Sequence, residues 1–151
     1  MGGPESFDEF VGGVRPRLSR AFVAAYGTER GQDALAEALG YAWEHFDDVA
    51  AMANPAGYLY RVGQTRTRSR RRRPHFPQPA EVGMPSVEPA LAHALRELSE
   101  RQRVCVVLVY AFEWTHQEVA DLLDLSRSTV QIHVERGIEH LRQAIGVTSD
   151  V

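Results

Sequence analysis

Apolar positions in this chain recur at helical spacing. No stretch shows sustained period-two alternation bounded by turn signals, so the pattern predicts an all-α protein. Three helical patterns occupy the first half. The first begins after Ser6, places Asp8 and Glu9 in its first turn, and carries Phe7, Phe10, Val11, Val14, Leu18, Phe22 and Ala25. Gly12, Gly13 and Pro16 are expected to kink or break it. The second runs from near Thr28 to about Phe46 with Leu35, Leu39, Ala42 and Trp43. The third opens with Asn54-Pro55, an N-cap followed by proline at the first helical position, and continues through Tyr58, Leu59 and Val62 into an arginine run. The second half shows four patterns, at about 89–97, 100–112, 116–123 and 127–143. Between the halves, Pro74, Pro77, Pro79, Pro85 and Pro89 interrupt a segment with little apolar periodicity. Residues 74–88 read as an extended linker that could span roughly 50 Å. The expected architecture is therefore two small helical domains, of three helices over 1–73 and four over 89–151.

The last two helices carry their boundaries in the sequence. Ser99-Glu100-Arg101-Gln102 and Thr115-His116-Gln117-Glu118 are capping boxes, and Ser126 is a further N-cap. Val119, Ala120, Leu122 and Leu123 make a short apolar helix, and Asp124-Leu125 makes a turn. In the following helix Val130, Val134, Ile138 and Leu141 share one side. Arg127, Ser128, Gln131, Ile132 and Glu135 then face outward. A short helix, a tight turn and a longer helix with a polar outer face form a helix-turn-helix, which sets a row of side chains into a DNA major groove. Gln131 suits adenine, and Arg127 reaches phosphate or guanine from the helix start. Ser128 and Thr129 suit phosphate at a helix N-terminus, while His133 and Arg136 suit the backbone or neighbouring helices. Glu135 would repel phosphate unless it accepts from a cytosine amine.

Charge sharpens this picture. The chain of 151 residues has a net charge of −3, but its halves differ. Residues 1–73 hold 11 Arg against 9 acids, and residues 74–151 hold 6 Arg against 11 acids. There is no Lys. Arg66, Arg68, Arg70, Arg71, Arg72 and Arg73 crowd into eight residues without an acid, and read either as a phosphate clamp or as a solvated helix end. Tyr58 and Tyr60 cannot share one helix face, so at most one is expected in the core and either could stack on a base. Trp43 reads as core or as partly buried behind a partner surface. Cys105, the only cysteine, lies in an apolar run and reads as a small buried hydrophobe. No apolar run is long enough to cross a bilayer, and no secretory signal pattern opens the chain, so a cytoplasmic location is expected. The six histidines show no metal-ligand spacing, and no Gly-rich phosphate loop or nucleophile set is present, so neither metal, cofactor nor enzymatic activity is expected.

These residues resemble the bacterial sigma-70 family, specifically its small extracytoplasmic-function group. Leu95-Arg96-Glu97-Leu98-Ser99-Glu100-Arg101-Gln102-Arg103 is similar to the start of that family's fourth conserved region. Glu118-Val119-Ala120, Leu125-Ser126, Ser128-Thr129-Val130 and Val134-Glu135-Arg136-Gly137 are similar to its helix-turn-helix. Asp33, Glu37 and Ala42-Trp43 resemble the core-binding helix of the second region, and Asn54-Pro55, Tyr58 to Val62 and the arginines resemble its promoter-melting helix. The resemblance implies a region 2-like domain that docks on core RNA polymerase through Asp33, Glu37 and Trp43. It also implies that this domain reads and melts −10 DNA, in double- and single-stranded form, through Tyr58, Arg61, Arg66, Arg68, Arg70, Arg71 and Arg72. A region 4-like domain would read the −35 element through Arg127, Ser128, Thr129, Gln131, His133 and Arg136. An anti-sigma factor is a further implied partner, and the polymerase would do the chemistry. Ala36, Tyr41, Tyr58, Thr65 and Ser69 depart from the family pattern. They define the alternative, a divergent sigma-like DNA-binding regulator or protein-interaction module that does not initiate by itself.

Overall fold

Ser6 begins the first helix: its backbone is extended, and its hydroxyl accepts from the Glu9 amide at 3.2 Å. In this computed structural model, which describes residues 6–69 and 89–146, helix α1 runs unbroken over Phe7–Tyr26. Of the kink or break expected at Gly12, Gly13 and Pro16, the break does not occur. Pro16 is exposed, and the carbonyl its ring leaves unbonded belongs to Gly12, also exposed, where water can reach it. The buried side, with Phe10, Leu18, Phe22 and Ala25, holds the helix through that point. Gly27 ends it at φ 84°, a conformation that favours glycine.

The chain divides into two units, one of residues up to Pro74 together with Asp121–Asp124, the other of the remainder. In the first, α2 (Thr28–Glu44) packs on α1 and on α4 (Pro55–Ser69). Phe46 does not end α2, as the sequence suggested. His45 interrupts the helix at φ −125° and ψ 35°, and Phe46 opens a short α3, Phe46–Ala50. The unit thus has four helices among the described residues rather than three. The small residues Ala34, Ala38 and Ala42 of α2 are buried against α1 and α4. Phe22 stacks on Tyr60 with ring centroids 5.0 Å apart. Of the two tyrosines on α4, Tyr60 is the core residue and Tyr58 is half-buried. Asn54 caps α4 by accepting from the Gly57 amide at 3.1 Å. The expected linker at 74–88, and with it Arg70, Arg71, Arg72 and Arg73, lies outside the described residues.

The second unit holds α5 (Pro89–Glu97), α6 (Glu100–Val106), α8 (Arg127–Ala144) and α7 (His116–Leu123) as far as Ala120. Both capping boxes form. The Ser99 hydroxyl accepts from the Gln102 amide at 3.2 Å, and Thr115 and Glu118 exchange two 3.0 Å bonds. A π-helical turn, Val107–Ala111, continues α6. Arg103 donates to the carbonyls of Leu95 and Leu98, satisfying the end of α5. Asp124, at φ 57°, closes α7, and the Leu125 amide donates back to Ala120 at 3.0 Å. Ala94, Leu98, Val106 and Leu141 form one core cluster, with Leu91, Leu95 and Ile138 packed on it. The described residues contain no strand.

Glycine positions give a test in which the sign differs by site. A Cβ on Gly31 would meet the Phe22 carbonyl oxygen at 2.8 Å, whereas Gly12 and Gly13 face open space. Gly31→Ala is expected to lower stability by about 1–2 kcal/mol, because overpacking outweighs the gain in helix propensity. Gly12→Ala and Gly13→Ala should each raise it by about 0.5–1 kcal/mol, read by urea denaturation. Burial pushes the Cys105 thiol up to about 12, with Arg101 opposing. At pH 8 it should resist an aromatic disulfide reagent in the folded protein and react once urea unfolds the chain.

Candidate nucleic-acid interface

The N-cap of α8 sets the first residues of the candidate interface. The Ser126 hydroxyl accepts from the Thr129 amide at 3.1 Å and lies 2.7 Å from the Thr129 hydroxyl and 3.2 Å from that of Ser128. Val130, Val134, Gly137 and Leu141 are buried. This rotation leaves Arg127, Ser128, Gln131, Ile132, Glu135 and Arg136 exposed, with Thr129 and His133 half-buried. The Thr129 hydroxyl is therefore engaged at the cap rather than free on the surface. The Gln131 amide nitrogen donates to the Glu135 carboxylate at 3.1 Å, so Glu135 has a partner on its own helix.

His133 has its pKa lowered, first by desolvation and then by the charges of Arg101 and Arg136. The tertiary structure thus adds Arg101, from the first turn of α6, to the expected pair His133 and Arg136. No spacing in the sequence links Arg101 to α8; only the packing of α6 on α8 does.

In the first unit the expected residues divide into two groups. Glu37 of α2 forms a 3.0 Å ion pair with Arg66 of α4, and the Arg66 guanidinium sits over the Tyr41 ring, 5.6 Å from its centroid. The Tyr41 and Tyr58 hydroxyls are 3.1 Å apart, and the His45 ring stacks on Tyr41 at 4.1 Å. The bond to Tyr58 is the first cause that raises the Tyr41 pKa, followed by desolvation. Residues expected to face the polymerase (Glu37) and DNA (Tyr58, Arg66) thus share one network. Tyr41, which the sequence marked only as a departure from the family, stands at its centre. Arg61 and Arg68 are exposed on α4, and Asp33 is exposed on α2, one turn before Glu37.

Trp43 does not join them. It is 68% exposed, so the expectation that it lies in the core is wrong. At 3.6 residues per turn it leaves α2 about 120° away from Glu37. Its ring instead meets Phe7 edge-on at 5.0 Å, and Phe7 in turn meets Phe46. Trp43 stands about 80° round α2 from Leu35, at the edge of the apolar stripe, where its ring packs on Phe7 and stays largely exposed. Among the described residues no group of three or more His, Cys, Asp or Glu could hold a metal ion, and no helix is long and apolar enough to cross a membrane.

Comparison with known proteins agrees with this geometry. The family model for sigma-70 region 4 matches residues 89–141, which span α5, α6, α7 and α8 up to Leu141. A search of curated proteins finds no match. Among solved structures, the sigma factor RpoE from Bartonella quintana, in complex with the anti-sigma factor NepR, is similar in fold. Its TM-score is 0.65 at 19% identity, covering 93% of this chain and 97% of that one. The segment 89–141, with its helix-turn-helix capped at Thr115 and Ser126, thus matches sigma-70 region 4, and the chain as a whole shares the fold of that sigma factor.

Proposed function

We propose that this protein is a sigma factor of the extracytoplasmic-function group, which binds core RNA polymerase and directs promoter-specific initiation in the cytoplasm. The observation that carries this reading is the match of region 4 to the segment whose last helix exposes Arg127, Ser128 and Gln131 in a row. The second unit takes the −35-type element, with Gln131 and Arg127 on base edges and Ser128, Arg136 and Arg101 on phosphates. Thr129, whose amide and hydroxyl are both engaged with Ser126, holds the helix start in shape for the contacts of Arg127 and Ser128, and His133 lies beside the phosphate contacts. The first unit takes the polymerase through Asp33 and Glu37, and Trp43, on another side of α2 beside Phe7, offers it a separate apolar contact. Tyr58, Arg61, Arg66 and Arg68 face −10 DNA, and Arg70, Arg71 and Arg72 follow them along the chain.

The net acidity of residues 74–151 works against independent DNA binding by the second unit. Attachment to the first unit and to the polymerase raises its effective concentration at the promoter and removes that difficulty. The protein itself performs no bond chemistry in this scheme; the polymerase does. The solved relative is in complex with an anti-sigma factor, and a partner of that kind fits here as well. A sigma-like regulator that has lost initiation would bind promoter DNA without core polymerase, and no observation favours it.

Arg127→Ala and Gln131→Ala should each weaken binding of the polymerase complex to its promoter by about 1–3 kcal/mol, with unchanged circular dichroism. Unchanged affinity for both variants would sink the assignment of α8. The double variant Asp33→Ala with Glu37→Ala should reduce co-purification with core polymerase while the first unit stays folded. The pair with Arg66 is partly buried, so Glu37→Gln is the control that keeps the shape, and a loss of fold in the alanine variant alone would point to a structural role instead. The fold favours neutral His133, because its pKa is lowered. That preference is fully present above the ordinary value near 6.5 and is lost as pH falls through the lowered one. The unfolding midpoint should therefore drop between pH 7 and pH 5, and His133→Gln should flatten the drop.

A further inference from the structure

Ile132 is the apolar residue on a face otherwise made of polar and charged groups. It is 44% exposed, between Ser128 one turn before it and Glu135 and Arg136 one turn after, all exposed. A single exposed isoleucine is ordinary on a protein surface. Its position gives this one a meaning, because it lies in the N-terminal half of the helix that reads DNA, directly beside Gln131. We propose that Ile132 is a base reader, packing its side chain on the C5-methyl of a thymine next to the base contacted by Gln131. This inference rests on the reading of α8 as the helix that enters the major groove.

Two chemical facts support it. Thymine alone among the bases presents a methyl group in the major groove, and the remaining base-edge groups there are donors and acceptors. A branched apolar side chain pressed on guanine or cytosine would strip water from those groups without replacing its bonds. Ile132 therefore rewards thymine and opposes G·C pairs. The geometry of its neighbour agrees. Glu135, a carboxylate, can only accept from Gln131, so the 3.1 Å contact fixes the amide with its nitrogen toward Glu135. The Gln131 carbonyl oxygen and its second N–H remain for a base edge. Those are the acceptor and donor that adenine requires. Adenine brings a thymine with it in every pair, so the two side chains select the same kind of step.

The test uses the full-length protein bound to core polymerase and a promoter selected from duplexes randomised at the −35-type element. Each thymine of that element is replaced in turn by deoxyuridine, which removes the methyl and keeps every hydrogen-bonding group. One replacement should weaken wild-type binding by about fourfold, the worth of one buried methyl group. Ile132→Ala should bind the thymine duplex at least that much more weakly and should not distinguish thymine from deoxyuridine at that position. Ile132→Val should keep the discrimination. Equal methyl sensitivity in wild type and Ile132→Ala would overturn the proposal. So would a wild type that responds to base substitutions but to no single methyl, an outcome that leaves α8 as the reading helix. A wild type indifferent to every base of the element would overturn the reading of α8 and this proposal together.

Discussion

The burial of one stripe along α8 governs the rest of the second unit. Val130, Val134, Gly137 and Leu141 are the buried stripe of α8, which packs on α5 and α6, and together they set the rotation of the helix about its axis. Gly137 permits the close approach, since a Cβ there would meet the Val106 side chain at 2.6 Å. A turn of one residue, about 100°, would bury Gln131 and expose Val130. The exposed row is thus a by-product of core packing. Its polar residues are placed by apolar residues on the opposite side.

The caps do the complementary work along the axis. Ser126 ends the turn after Asp124 and starts α8 at Arg127, so the exposed row begins at the first helical residue. Unpaired amides at that end favour an anion. The same end carries the Ser126, Ser128 and Thr129 hydroxyls, held to one another at 2.7–3.2 Å. A polar, preordered helix start next to an exposed Arg127 suits a phosphate backbone better than an apolar partner would.

In the first unit the governing feature is the contact of α2 with α4. It brings Glu37 to Arg66 and Tyr41 to Tyr58, so the residues proposed to meet the polymerase and those proposed to meet DNA are not electrostatically independent. Arg66 meets a carboxylate and the face of an aromatic ring at once. Both favour a guanidinium over an ammonium, consistent with a chain that uses arginine throughout. Trp43, by contrast, belongs to an aromatic group with Phe7 and Phe46 at the other side of α2.

Helix identity, the two capping boxes, the Ser6, Asn54 and Ser126 caps and the outward row of α8 were legible in the sequence. Each depends on residues within one or two turns, where backbone hydrogen bonding and the 3.6-residue period act directly. The unbroken α1 was not legible, because exposure of Pro16 and burial of Phe10, Leu18 and Phe22 against other helices outweigh local propensity. Nor were the break at His45, the exposure of Trp43, the place of Tyr41 beside Tyr58 and Arg66, or the arrival of Arg101 beside His133. Apart from the break at His45, whose contacts are with Tyr41 one turn back, those were decided by tertiary structure alone, since each depends on a partner from another helix and on which surface that helix covers.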